Sequence, residues 1–357
     1  MSTQKRTKLH IEFIRILAIF FVLFNHTNEA GYTLYFAADN PALNPLYMTL
    51  SNLCVIAVPL FFMISGALLL GKEESYADVY VKRVLRIVIA LLLSTLAYRA
   101  YYHFAWDAPW NIVATFKVLP FTWGYFSQWY LYSYLAFLVM LPLLRRMVKG
   151  MQSRDFIYVF VAQLVIGGLL PMLAYRFTSG QFAILSYFNP TIVVTESIVY
   201  ALMGYYLEKV VKKSTFDSII NVLICIAASA ATLFITSTFV KYKFSVLATL
   251  DGNWLSDTQK MLAIVPTVSV YFIAKFVFDG HEFRDGTKRV IASLGSCVFG
   301  VFLIEGILRE ATFPIYQKLQ PSMGVLLACL IWILVALAIG FAVIEIVKRI
   351  PGLRKVL

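Results

Sequence analysis

Long apolar runs separated by short polar stretches dominate the chain, and many approach the roughly 20 residues that a helix needs to cross the hydrocarbon core of a bilayer. "VLICIAASAATLFITSTFV" and "GVLLACLIWILVALAIGFAVIEIV" are two of them, and "VIALLLSTLAY" is a shorter one. Breaking the runs at their polar turns predicts ten helices, at about 11–31, 49–71, 84–105, 128–147, 156–175, 191–210, 216–240, 260–279, 289–309 and 322–347. The pattern therefore predicts an all-α polytopic membrane protein with about ten transmembrane helices.

Composition strengthens that picture. Of the 357 residues, 60% are hydrophobic and 14% charged, whereas soluble domains carry about a quarter charged residues. The net charge of +12 changes meaning once its distribution is followed. The N-terminal tail and alternate loops collect Lys5, Arg6, Lys8, Lys72, Lys82, Arg83, Arg86, Arg145, Arg146 and Lys149, then Lys209, Lys212, Lys213, Lys288, Arg289, Lys348 and Arg349. The other loops and helix ends hold far fewer, among them Arg99, Lys117, Arg176 and Lys260. The positive-inside rule then places both termini in the cytoplasm and supports an even helix count. The basic excess reads as topology rather than as a nucleic-acid footprint.

Basic residues precede the first apolar run, as in a signal peptide, but no small-residue cleavage site follows it, so a retained first helix is expected. Cys54, Cys225, Cys297 and Cys329 lie in apolar stretches without metal-ligand spacing or a disulfide framework, and are expected to pack as small residues. No internal repeat or soluble appendage is visible, so residues 1–357 are expected to form a single integral-membrane domain.

Charges inside apolar runs are the candidate chemistry, because an ionisable group at membrane depth is costly unless it faces protein or water. "RILAIFFVLFNH" places Arg15 and His26 eleven residues apart. That spacing is close to three whole helical turns, so both side chains project from nearly one face, roughly 16 Å apart along the axis. The plain alternative is an arginine that snorkels to the inner headgroups and a histidine that caps the outer end. In "YADVYVKRVLRIVIALLL" Arg83 and Arg86 are neighbours on a helix surface beside Lys82, a pair of guanidinium forks suited to phosphate oxygens or a simple cytoplasmic anchor. "VPLFFMISGALLLG" interrupts a helix with Pro59, Ser65 and Gly66, where Ser65 lines a polar passage or bonds its own backbone. In "SLGSCVFGVFLIEGILRE" Glu305 stands four residues before Arg309, with which it can pair. Glu196 is a further carboxylate within an apolar run. Aromatic-rich outer loops, such as "YFAADNPALNPLY" and "SGQFAILSYFN", suit the membrane interface or a stacking platform for a sugar ring.

Six stretches in order, "IEFIRILAIFFVLFNH", "VPLFFMISGALLL", "VYVKRVLRI", "QWYLYSYLAFLVMLPLL", "YALMGYYL" and "FGVFLIE", spanning residues 11 to about 306, resemble the membrane acyltransferase-3 family. The resemblance is to the stand-alone type of surface-polysaccharide O-acyltransferase, which lacks a fused extracytoplasmic domain. It implies a ten-helix enzyme of the bacterial cytoplasmic (inner) membrane. That enzyme transfers an acyl group, usually acetyl from cytoplasmic acetyl-CoA, to a glycan hydroxyl. It implies acetyl-CoA as a co-substrate rather than a permanently bound cofactor, and no metal. On this resemblance Arg15 and His26 are the family's paired arginine and histidine, and Lys82, Arg83 and Arg86 match its basic, acyl-CoA-binding loop. Ser65, Trp129, Tyr130 and Glu305 become candidates for the pathway or the acceptor. Glu305 stands where many members carry a histidine.

Histidine's unperturbed pKa of about 6.5 suits it to take a proton from a sugar hydroxyl, so His26 is the expected base, with Arg15 at the acyl-CoA end. The competing class is a transporter or flippase for an envelope glycan or small metabolite, since buried charges also mark substrate paths in carriers. A membrane-embedded sensor or assembly partner is a third.

Overall fold

The computed structural model describes residues 8–34, 44–119, 125, 128–178, 196–247 and 259–357. Among these it is helical throughout, with no strand. Among the described residues six helical stretches are long and apolar enough to cross a membrane: Asn44–Leu69, Trp129–Gly150, Ser153–Ala174, Ile219–Tyr242, Asp285–Leu303 and Val325–Val347. The structure divides into two compact units, one of residues 1–72 and 146–292, the other of 73–145 and 293–357.

The first unit is built on α1 (Leu9–Asn25), α2 (Asn44–Cys54) and α3 (Ala57–Leu69). It continues with α8 (Ser153–Ala162), α9 (Leu170–Thr178), α10 (Glu196–Tyr205), the short α11 (Lys213–Phe216), α12 (Ile219–Leu247) and α13 (Ile264–Asp279). Wider π turns join α8 to α9 at Gln163–Leu169 and extend α10 at Tyr206–Val210. Ile14, Ile19, Leu23 and Phe24 of α1 are wholly or almost wholly buried, because α1 packs against α3, α13 and α2.

The closest approach in this unit is between α3 and α10. A methyl group added at Gly66 would sit 1.8 Å from the Ala201 carbonyl oxygen, and one at Gly204 would sit 1.9 Å from that of Met63. Only hydrogen fits at either position, so the glycines let the two backbones touch. Glycines also meet neighbours closely elsewhere: Gly168 faces the Met261 backbone in this unit, and Gly300 faces the Ile344 side chain in the second.

In the second unit, Ser75 caps α4 (Tyr76–Val79), accepting from the Asp78 N–H at 3.1 Å and donating to its carboxylate at 2.9 Å. A π turn at Tyr80–Val84 leads into α5 (Leu85–Trp106). Then follow α6 (Ile112–Val118) and α7 (Trp129–Gly150). The chain returns to this unit within α14 (Asp285–Leu303) and continues through α15 (Glu305–Met323) and α16 (Val325–Val347).

Two long runs prove to be broken helices. The run at 49–71 divides after Cys54, and the run at 289–309 divides at Ile304, whose φ of −123° leaves the helical region. Polar side chains of α5 hold the second break. Ser94 donates to the Leu303 carbonyl at 2.8 Å, and the Gly306 N–H donates to the Tyr98 hydroxyl at 2.9 Å. A freed carbonyl and a freed N–H are thereby satisfied inside protein, which an apolar setting requires. The four cysteines are unbridged and three are buried.

Candidate functional site

Arg15 lies on α1, half-buried, and its Nη1 donates to both carboxylate oxygens of Glu12 at 2.9 Å. Glu12 is one helical turn earlier and almost buried, so the pair satisfies a carboxylate that would otherwise be costly at this depth. Nε and Nη2 of Arg15 have no partner among the described residues. The guanidinium is thus anchored through one nitrogen and keeps three N–H donors.

His26 follows the last residue of α1 as its C-cap, with its N–H still directed at the Val22 and Leu23 carbonyls, both at 3.2 Å. Its backbone remains close to the helical path, so the eleven-residue stripe from Arg15 persists to the helix end. The chain then reverses at once. The Thr27 hydroxyl donates to the Phe24 carbonyl at 2.7 Å and accepts from the Tyr32 N–H at 3.0 Å. Asn28 adopts φ 48°, a left-handed conformation that asparagine tolerates better than most residues. The imidazole is therefore mounted on a turn fixed from both sides.

Ser65 is buried in α3 and its hydroxyl donates to the Phe61 carbonyl at 2.8 Å, the local bond open to a helical serine. Arg15, His26 and Ser65 all belong to the first unit. Lys82, Arg83, Arg86, Trp129, Tyr130 and Glu305 belong to the second.

There, Arg83 forks onto Glu74, with Nε to Oε2 at 2.7 Å and Nη2 to Oε1 at 2.5 Å, and the nearly buried Arg145 reaches Glu74 Oε2 at 2.9 Å. Two guanidiniums on one carboxylate hold Glu74 at a pKa of about 2, with Arg83 the larger influence. The same contact raises Arg83. Lys82 bonds Asp78 at 2.7 Å across one turn, which raises the ammonium and lowers the carboxyl. Arg86 is exposed and forks onto backbone, Nε to the Val356 carbonyl at 2.9 Å and Nη2 to a main-chain oxygen of Leu357 at 2.8 Å. The basic segment is thus a charged, cross-tied surface whose forks already hold planar oxygen acceptors.

Tyr130 is buried with its ring edge-on to Phe302, centroids 5.2 Å apart, and Trp129 lies edge-on to Tyr130 at 6.4 Å. Their neighbour Gln128 donates to the Ser94 and Thr95 hydroxyls, each at 3.2 Å. Glu305 is 1% exposed at the first turn of α15, where a carboxylate suits the positive helix end, and it accepts from Arg309 Nε at 3.1 Å. Tyr98, Tyr102 and Tyr125 stack on one another, Tyr125 lying 4.2 Å from Tyr98 and 5.6 Å from Tyr102. Of the aromatic stretches expected at the membrane interface or as a sugar platform, residues 35–43 of the first and all of 179–189 lie outside the described residues.

A second charged group in the first unit is absent from the sequence reading. Tyr271, Lys275 and Asp279 occur at four-residue steps on one face of α13, and Glu208 projects from the π turn after α10. Glu208 Oε2 lies 3.1 Å from His10 Nε2, 3.0 Å from Lys275 Nζ and 3.2 Å from the Tyr271 hydroxyl, while Lys8 bonds Oε1. His10 Nδ1 lies 3.2 Å from Asp279. The signal was present in the chain, since Glu208 and Lys275 each interrupt an apolar run. Among the described residues no group of three or more His, Cys, Asp or Glu is arranged to hold a metal ion.

Comparison with known proteins gives one match, to a family model described as an acyltransferase domain, over residues 9–344. No curated protein and no solved structure matches the chain.

Proposed function

The chain belongs to the acyltransferase-3 family and is an acyltransferase, and we propose that it carries acetyl from cytoplasmic acetyl-CoA to a hydroxyl of a surface or exported glycan at a bacterial cytoplasmic membrane. The observation that carries this reading is the eleven-residue spacing of Arg15 and His26 along α1, inside the matched region, with Arg15 nearly two turns into the helix and His26 at its C-cap.

In the proposed reaction, His26 takes the proton of the acceptor hydroxyl as its oxygen attacks the thioester carbonyl. The C–S bond breaks and the departing CoA thiolate takes that proton from the imidazolium. The products are an ester and free CoA. The three unengaged donors of Arg15 suit the thioester or phosphate end of the donor, and Glu12 keeps the guanidinium oriented. Lys82, Arg83 and Arg86 are assigned to the CoA phosphates. Arg86 bonds main-chain oxygens of Val356 and Leu357, which a phosphate would have to displace to engage its fork.

Purified protein with radiolabelled acetyl-CoA and candidate glycans tests the proposal. Wild type should release CoA only when an acceptor is present, and His26→Ala should release none while remaining folded. Full activity in His26→Ala would remove the assignment, and acceptor-dependent movement of glycan without CoA release would favour a carrier.

A further inference from the structure

The outer end of α1 holds more polar chemistry than a lone base requires. Three amide side chains there each keep one buried polar atom with no hydrogen-bond partner among the described residues: Asn25 Oδ1, Asn52 Oδ1 and Gln259 Nε2. Asn52 and Gln259 are each 2% exposed. Buried polar atoms are almost always bonded, so three such atoms in one hydrogen-bonded layer call for an explanation.

The amides share that layer. Asn25, immediately before His26, donates Nδ2 to the Cys54 carbonyl at 2.8 Å. Tyr32 donates its hydroxyl to Gln259. The Tyr32 carbonyl accepts from Ser51, next to Asn52, and Asn52 donates to the Ser237 hydroxyl at 2.8 Å. Each amide is therefore held by one half and presents the other. The Cys54 carbonyl can only accept, so the atom that Asn25 presents is an oxygen. For Asn52 and Gln259 the hydroxyl partners allow either end to be the one presented, and one end remains unmade in both assignments.

An amide oxygen accepts and an amide nitrogen donates without bringing charge. That matches hydroxyl groups, which do both, and gives nothing to neutralise a carboxylate or phosphate. We propose that Asn25, Asn52 and Gln259 bind uncharged hydroxyls of the acceptor beside His26, and that they select a neutral polyol face over one carrying an anionic substituent. The inference rests on the reading of His26 as the base for transfer to a hydroxyl.

The test uses the full chain in lipid nanodiscs, since a sugar-headed detergent would compete. Saturation-transfer NMR without acyl donor measures binding of methyl glucopyranoside and of glucuronate, and the acyl-transfer assay measures acceptor KM and kcat. Wild type should bind methyl glucopyranoside in preference to glucuronate. Asn52→Leu and Gln259→Leu should each weaken that binding and raise acceptor KM by about tenfold, the loss of a hydrogen bond or two, with acetyl-CoA affinity unchanged. Equal binding of the two probes by wild type overturns the proposal without any variant. Unchanged sugar binding in folded Asn52→Leu and Gln259→Leu overturns it as well. If His26→Ala still transfers acetyl while the amide variants lose sugar binding, the base assignment falls and the amide site stands. If His26→Ala is inactive and the amide variants bind normally, the amide site falls alone.

Discussion

Glu208→Gln removes one negative charge from the most heavily bonded carboxylate of the first unit. The side chain is 3% exposed and serves His10, Lys275, Tyr271 and Lys8 at once. Glutamine would keep the shape but turn an NH2 group toward donors that need an acceptor, and it would leave Lys275, itself 10% exposed, nearly buried without its nearest counter-charge. Asp279 is the remaining anion, but it lies 3.9 Å from Lys275 and is 36% exposed. Breaking a buried ion pair from one side costs about 3–5 kcal/mol, a large part of the 5–15 kcal/mol that holds a typical domain together. For a unit of this size that lowers the unfolding midpoint by about 10 °C. Cys54 is buried in the same unit, so labelling by a thiol-reactive dye during heating reports the loss. An unchanged midpoint would refute the reasoning. A further check replaces the group together: His10→Leu, Glu208→Leu and Lys275→Met leave no unpaired buried charge among these three and should recover most of the lost stability. A triple variant less stable than Glu208→Gln would show that packing, not charge, sets the effect.

Glu74 gives a pH prediction of definite sign. Its carboxyl is held at about 2 against an ordinary 4.5, chiefly by Arg83, so the tie contributes fully above the ordinary value and is lost as pH falls through about 2. Protection of residues 73–84 against hydrogen exchange, corrected for the intrinsic pH dependence of exchange, should be constant above about pH 5 and fall progressively from there toward about pH 2; protection unchanged over that range would contradict the assignment. Gly66→Ala or Gly204→Ala forces a methyl onto a backbone carbonyl and should cost about 3 kcal/mol or more, read as loss of monodisperse protein, whereas Gly286→Ala meets nothing within 4 Å and should be silent. Arg15→Lys keeps the charge near Glu12 but loses the fork, so acetyl-CoA KM should rise about tenfold with the melting temperature held; an unchanged KM would return Arg15 to a purely structural pairing with Glu12.

The sequence predicted where apolar helices lie far better than where they break. α5, α7 and α16 start and stop within a few residues of their apolar runs, and α12 overruns its own by seven residues, because lipid-compatible length is written directly in composition. Apolar residues continue on both sides of Cys54 and Ile304, so no change of hydrophobic period marks either break. The site divides in the same way. The Arg15–His26 stripe and the Glu305–Arg309 pair follow from spacing along one helix. Lys8 and Glu208, or Tyr32 and Gln259, are some 200 residues apart, and no local rule connects them. Arg83 shows the intermediate case: its place in a basic run was readable from the sequence, but its capture by Glu74 depends on a nine-residue return of the chain.

The reciprocal glycine contact of α3 and α10 also constrains traffic. With each glycine pressed on the other helix's main chain, the two form a welded strut without a seam wide enough for even a methyl group at those positions. On the proposed function, a pantetheine arm travelling inward would have no lane between them there and would run along a different groove. Ser65 adjoins Gly66 on this strut and gives its hydroxyl to the Phe61 carbonyl.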